Sequence, residues 1–191
     1  MSALVHGTHL FVVSGCSGSG KSTLIAALAA HGESVAPEPG RRIVQEELAA
    51  GGDALPWRNA QRFIDRCALQ ANVDYEQHAA QPRRTFFDRS LIDVAAAVGR
   101  SGLRAPAILT HALATKRYAT TVFMSAPWKA LFATDALRRH DFDEAVTEYD
   151  TLVPTYHHLG YDIVDLPQLS VAQRVAFVLA TVTARARLAG R

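Results

Sequence analysis

An apolar run from Leu10 to Val13 stops at Ser14, and Gly15-Cys16-Ser17-Gly18-Ser19-Gly20-Lys21-Ser22 then fits the pattern G-x-x-x-x-G-K-[ST]. With glycine near 7% of residues, a random chain of this length meets that pattern about once in 150. The flanks constrain the match further. Leu24, Ile25, Leu28 and Ala29 recur at helical spacing until His31-Gly32, so the segment reads as strand, glycine-rich turn and helix. Such a turn converges backbone N–H groups on anionic oxygens at the positive end of a helix. A phosphate site is therefore expected at Gly15, Ser17, Gly18, Ser19, Gly20, Lys21, Ser22 and Thr23. Lys21 is expected to reach the β- and γ-phosphates of a nucleotide and Ser22 to ligate Mg²⁺, which makes ATP and Mg²⁺ the implied ligands. The alternative is a glycine-rich turn that binds nothing.

The rest of the chain repeats the alternation. Strands are expected at 34–36, 85–87, 120–125 and 162–166, and helices at 41–50, 57–80, about 90–100, 106–117, 142–159 and 170–188. In the long helix Ala60, Phe63, Ile64, Cys67, Ala71 and Tyr75 share one face, and Pro82 ends it. Ser90 or Asp93 is the expected cap of the helix that follows the third strand. Alternating strands and helices predict an α/β chain with a three-layer P-loop NTPase fold: a parallel sheet of about five strands with helices on both faces. At 191 residues this is one domain, 1–191, with room for a lid at about 127–145.

Composition removes several classes of function. The net charge is +2, too small for a polynucleotide footprint or a polybasic membrane patch, so nucleic acid and membrane are not expected partners. No apolar run approaches a membrane span, and the N-terminus lacks the pattern of a signal peptide, so a cytoplasmic protein is expected. Cys16 and Cys67 form no disulfide framework, and the eight histidines show no metal spacing. A helix N-terminus can lower the pKa of a thiol such as Cys16, although a neutral loop position is the simpler reading. Cys67 lies on an apolar stripe and reads as core. The Asn-Lys-x-Asp guanine signature is absent, and Asn59 and Asn72 are the only asparagines. Chain length disfavours helicase and motor domains. A small-molecule kinase fits.

Such a kinase needs an acid at the end of the third strand, an acceptor pocket near the second, and an arginine-bearing lid. Asp88-Arg89-Ser90, after Thr85-Phe86-Phe87, resembles the Asp-Arg or Glu-Arg-Ser motif of thymidylate and deoxynucleoside kinases. That resemblance implies Asp88 beside Mg²⁺ and Arg89 near phosphates or acceptor. Glu38, in Pro-Glu-Pro-Gly, resembles the acceptor-facing acid of the same kinases, with Arg41 and Arg42 as further acceptor-side candidates. Arg138 and Arg139 resemble a shortened lid and are expected to stabilise charge on the transferred phosphoryl group. The bland alternatives are a strand-end ion pair, a turn and a solvated basic pair. Trp57 is read as helix-start packing, with stacking on an acceptor ring as the alternative. Arg174, Arg185, Arg187 and Arg191 are read as structural cations of the last helix. Pro167-Gln168 lies where related kinases place an adenine loop.

Taken whole, the chain resembles small bacterial AAA-domain proteins related to the nicotinamide-riboside kinase domain. Beside the phosphate loop, the resemblance rests on Pro-Glu-Pro-Gly-Arg-Arg at 37–42, Gly-Gly-Asp-Ala-Leu-Pro-Trp at 51–57 and Phe-Phe-Asp-Arg-Ser at 86–90. Arg-Arg-His-Asp-Phe-Asp-Glu-Ala at 138–145 and Gly-Tyr-Asp-Ile-Val at 160–164 complete it. It implies an ATP-dependent phosphotransferase with catalytic Lys21, Asp88, Glu38, Arg138 and Arg139, acting on a small metabolite such as a nucleoside or nucleotide. An ATPase switch or partner-binding module without a small acceptor is the second reading.

Overall fold

The computed structural model describes residues 5–129 and 142–189. Most of the expected lid, with Arg138 and Arg139, lies outside the described residues. Five strands form one parallel sheet: β2 (Leu10–Gly15), β3 (Ser34–Ala36), β4 (Thr85–Asp88), β6 (Thr121–Ser125) and β7 (Asp162–Asp165), in the order β3-β4-β2-β6-β7. The central strand β2 is buried along its whole length. Its side chains alternate between two cores, as a strand covered on both faces requires. Leu10 and Val12 enter a core with Tyr75, Ile92, Leu152 and Tyr156, while Phe11 and Val13 enter another with Leu24, Leu28, Val175 and Val178. The first core is closed by α3 (Ala60–Ala79), α4 (Leu91–Ser101), α5 (Ala107–Thr115) and α6 (Phe142–His158); the second by α1 (Lys21–Ala30) and α7 (Val171–Ala189).

The element boundaries differ from the expected ones where polar local chemistry or pairing intervenes. Helix α2 (Pro39–Ala50) starts two residues before the expected 41, because Pro39 occupies the first turn, where its missing N–H costs nothing. The long helix starts at Ala60, not 57. The N–H groups of Arg58 and Asn59 turn back to the Leu55 carbonyl, and the Asn59 side chain then accepts from Arg62 N and caps α3. The helix expected to reach 117 ends at Thr115, because Lys116–Tyr118 forms β5 and pairs in parallel with β1 (Val5–Gly7). Neither β1 nor β5 was expected, because each is fixed by pairing with a segment more than a hundred residues away. Ser90 and Asp93 are both caps: they form a reciprocal capping box at the start of α4. Among the described residues no helix is long and apolar enough to cross a membrane.

Candidate functional site

The carboxyl ends of β2 and β4 lie side by side, with Val13 opposite Asp88, so the turns after both strands open on one edge of the sheet. After β2 the chain must pass close to β6. A Cβ on Gly15 would overlap the Ser125 carbonyl, and Gly15 has φ +128°. Gly18 and Gly20 have φ +77° and +78°, conformations that glycine adopts without strain. The loop is folded on itself. Lys21 Nζ donates to the Cys16 carbonyl at 2.5 Å, and Ser19 Oγ donates to the same carbonyl at 2.9 Å. Lys21 is buried, and burial together with the Arg89 charge lowers its pKa. Ser22 Oγ donates to Asp88 Oδ2 at 3.2 Å, whereas Asp88 Oδ1 is buried with no hydrogen-bond partner. Burial and the Glu38 carboxylate raise the Asp88 pKa, with Lys21 and Arg89 opposing. Thr23 is exposed in the first turn of α1.

Arg89 sits at the crossing of this edge. It is a non-glycine residue at φ +68°, a conformation that costs about 1 kcal/mol. Its guanidinium reaches Glu38 at 3.2 Å, Asp93 at 3.4 Å and Glu148 at 2.8 Å. Burial works against the charge on Arg89, but Glu148, Glu38, Asp93 and Asp88 together raise its pKa well above the ordinary value. Asp93 is anchored in turn by Ser14 Oγ at 2.6 Å and Tyr156 OH at 2.5 Å. Glu148 accepts from the Ser17 amide of the glycine-rich loop at 2.7 Å. A carboxylate from α6 thus takes an N–H of the loop. Burial would raise the Glu148 pKa, yet Arg89, Lys21 and the Ser17 amide hold it below the ordinary value.

Beside the loop lies a cavity of about 330 Å³. Ser17, Glu38, Arg41, Arg89, Asp93, Arg100 and Glu148 supply its polar wall, and Val44, Phe63, Ile64, Val94, Leu103 and Leu152 its apolar wall. The structure therefore brings Glu38, Arg41, Arg89 and Ser17 together. Asp88 and Lys21 are buried and do not line the cavity, and Arg42 pairs with Asp74 on α3 at 3.1 Å. Trp57 is 38% exposed and outside the lining. Sequence reasoning missed Glu148. The signal was present, because Ala145, Glu148, Leu152 and Tyr156 share one helical face and the other three are buried.

Cys16 is also buried, and burial raises its pKa despite the neighbouring Lys21 charge. A helix N-terminus does not activate a thiol that water cannot reach. Cys16 in the folded protein is expected to react with iodoacetamide at pH 7.5 at least about tenfold more slowly than after unfolding, by mass spectrometry of the 10–21 segment. Equal rates would contradict this.

A family model described as an AAA domain matches residues 10–174. Among solved structures, the fold is similar to NadR in complex with NAD and AMP-PNP, at 16% identity and a TM-score of 0.66, over 92% of this chain and 49% of that one. It is similar to deoxyadenosine kinase from M. mycoides with dCMP and dCDP bound, at 12% identity and a TM-score of 0.56, over 92% of this chain and 98% of that one. Thymidylate kinase from Ehrlichia chaffeensis gives 14% identity and a TM-score of 0.56, over 93% and 99%. At these identities the likeness is one of fold, that of the P-loop nucleotide kinases. The chain spans about half the length of the NadR chain it matches. A local stretch of 41 residues is 51% identical to tRNA wybutosine-synthesizing protein 4 of Gibberella zeae, covering 20% of this chain and 4% of that protein.

Proposed function

The chain belongs to the AAA-domain family, and from that membership, its phosphate loop and the adjoining cavity we propose an ATP-dependent phosphotransferase acting on a small hydroxyl-bearing metabolite such as a nucleoside or nucleotide. The cavity carries this reading. It meets the phosphate loop at Ser17, it has the volume of a small-molecule site, and it combines apolar walls with a few convergent charges. A triphosphate would take the Ser17 amide from Glu148, and Lys21 would exchange the Cys16 carbonyl for phosphate oxygens. Arg89, released from Glu148, would then face the phosphoryl group. In this reading residues 1–191 act as one nucleotide-binding unit, with Arg138 and Arg139 on a lid at about 127–145.

The residues present fit Mg²⁺. Asp88 Oδ1 is a buried carboxylate oxygen without a partner, next to the Ser22 hydroxyl on Oδ2. Two hard oxygens suit an ion that keeps water and phosphate oxygens as its remaining ligands. When bound, the ion supplies neutralisation of charge on the phosphate oxygens. Glu38 is assigned to the acceptor side, where it orients a hydroxyl and accepts its proton, while its contact with Arg89 fixes the carboxylate.

Calorimetry of Mg²⁺-ATP, followed by a thermal-shift screen of metabolites in the presence of a non-hydrolysable ATP analogue, tests the reading. With the acceptor found, Glu38→Gln is expected to lower transfer by about 10²–10⁴-fold with ATP affinity nearly unchanged. Wild-type turnover in that variant, or ATP hydrolysis with no acceptor that shifts the melting temperature, would favour the ATPase-switch reading.

A further inference from the structure

Helix α7 carries one charge where a charge is costly. Arg174, Val175, Val178 and Val182 make up its buried face, and Arg174 is 2% exposed. It lies in the first turn of α7, not near the C-terminus, so the helix dipole does not favour it there. Among the described residues no carboxylate pairs with it. Its Nε is buried without a partner, and burial alone lowers its pKa. A buried guanidinium without a counterion calls for an explanation beyond packing.

Its contacts point to the back of the phosphate loop. Arg174 Nη1 donates to the Gly20 carbonyl at 3.5 Å, and Nη2 donates to Ser125 Oγ at 3.1 Å. Ser125 Oγ in turn donates to the Ser19 carbonyl at 3.0 Å. The Ser19 carbonyl shares a peptide unit with the Gly20 N–H, and the Gly20 carbonyl shares one with the Lys21 N–H. A cation on the Gly20 carbonyl, and on the Ser19 carbonyl through the Ser125 hydroxyl, polarises both peptides, so the two N–H groups on the other side become better donors to an anion. The loop does not need Arg174 for its own hydrogen bonds. Gly20 O also accepts from Leu24 N at 3.2 Å, and Ser19 O keeps Ser125 Oγ.

We propose that Arg174 is a positioning residue for nucleotide phosphates: a buried cation behind the phosphate loop, acting through the Ser19–Gly20 and Gly20–Lys21 peptides, with the bound polyphosphate as its counterion. This rests on the phosphate loop binding a nucleotide, as proposed above. It implies opposite signs for stability and affinity, because the unliganded protein bears the cost of a charge that only the anion offsets.

The test compares wild type, Arg174→Met and Arg174→Lys by unliganded melting temperature and by calorimetry with ATP and with inorganic triphosphate. In Arg174→Met the unliganded melting temperature is expected to hold or rise, since a methionine fills the apolar site. Affinity for both ATP and triphosphate is expected to fall by about tenfold, well below the scale of two charges in contact because the guanidinium acts through the peptides of the loop. Arg174→Lys, which keeps the charge but not the two-pronged contact, is expected to lose less, and it carries the test if the methionine variant does not fold. Unchanged affinity in a folded variant overturns the role of Arg174 while wild-type binding stands. Affinity lost only together with melting temperature reduces Arg174 to a structural residue and overturns it too. Absence of ATP binding in wild type overturns the nucleotide reading itself, and this inference with it.

Discussion

Lys21→Ala is expected to lower Mg²⁺-ATP affinity by about 10²-fold or more while leaving the melting temperature of the unliganded protein nearly unchanged. The first part follows from the charge-assisted hydrogen bonds that an ammonium makes to phosphate oxygens, about 1.5–3 kcal/mol each. The second follows from the loop geometry. Lys21 now donates to the Cys16 carbonyl, but Ser19 Oγ donates to that same carbonyl, so truncation leaves no buried acceptor unsatisfied. The truncation also removes an ammonium that burial and Arg89 already disfavour. Calorimetry and a melting curve on one preparation separate the two effects. Wild-type affinity in the variant would remove Lys21 from the site; a collapse in melting temperature would give it a structural task.

Arg89→Gln is expected to be the most destabilising single change at the site. Three carboxylates, Glu38, Asp93 and Glu148, converge on one guanidinium whose side chain is 13% exposed. Breaking a buried pair from one side typically costs about 3–5 kcal/mol, because the opposite charge stays behind. For a chain of this size that corresponds to a fall in melting temperature of about 10 °C. The pH dependence adds a sign. Glu148 has a folded pKa below its ordinary 4.5, so its contribution to stability is present above that value and is lost as the pH falls through the lowered one. Without Arg89 the largest lowering influence on Glu148 goes, leaving Lys21 and the Ser17 amide, so the deficit of the variant should be largest near neutrality and shrink as the pH falls below 4.5. Denaturant midpoints from pH 7 to pH 3.5 measure it. A deficit that is constant across this range would show that Glu148 is not held by Arg89.

Some of the site was legible in the sequence because it is local. A strand, a glycine-rich turn and a helix in succession need no distant partner to be recognised, and Gly15 through Ser22 carry their geometry in glycine backbone freedom and one lysine. Asp88 was legible for a similar reason: a polar residue that ends a short apolar run emerges at a strand end, and in a parallel sheet the strand ends share an edge. The boundaries that moved were those settled by pairing or capping. Lys116 and Arg117 left their expected helix because Val5–Gly7 was there to pair with, a partner more than a hundred residues away.

Glu148 and Arg174 mark the limit most clearly. Helical periodicity could have placed each on the face its helix buries, but periodicity identifies a face and not what the face meets. Glu148 meets the Ser17 amide 131 residues earlier, and Arg174 meets the Gly20 carbonyl 154 residues earlier. By itself the sequence determined the alternation of strands and helices, the glycine-rich turn between β2 and α1 and the acid at the end of the third strand, since each follows from neighbours in the chain. Tertiary structure decided which charges surround that loop. A buried charge persists only where packing supplies a counter-charge, a hydrogen bond or a ligand, and those groups come from distant segments that only the folded sheet brings to one edge.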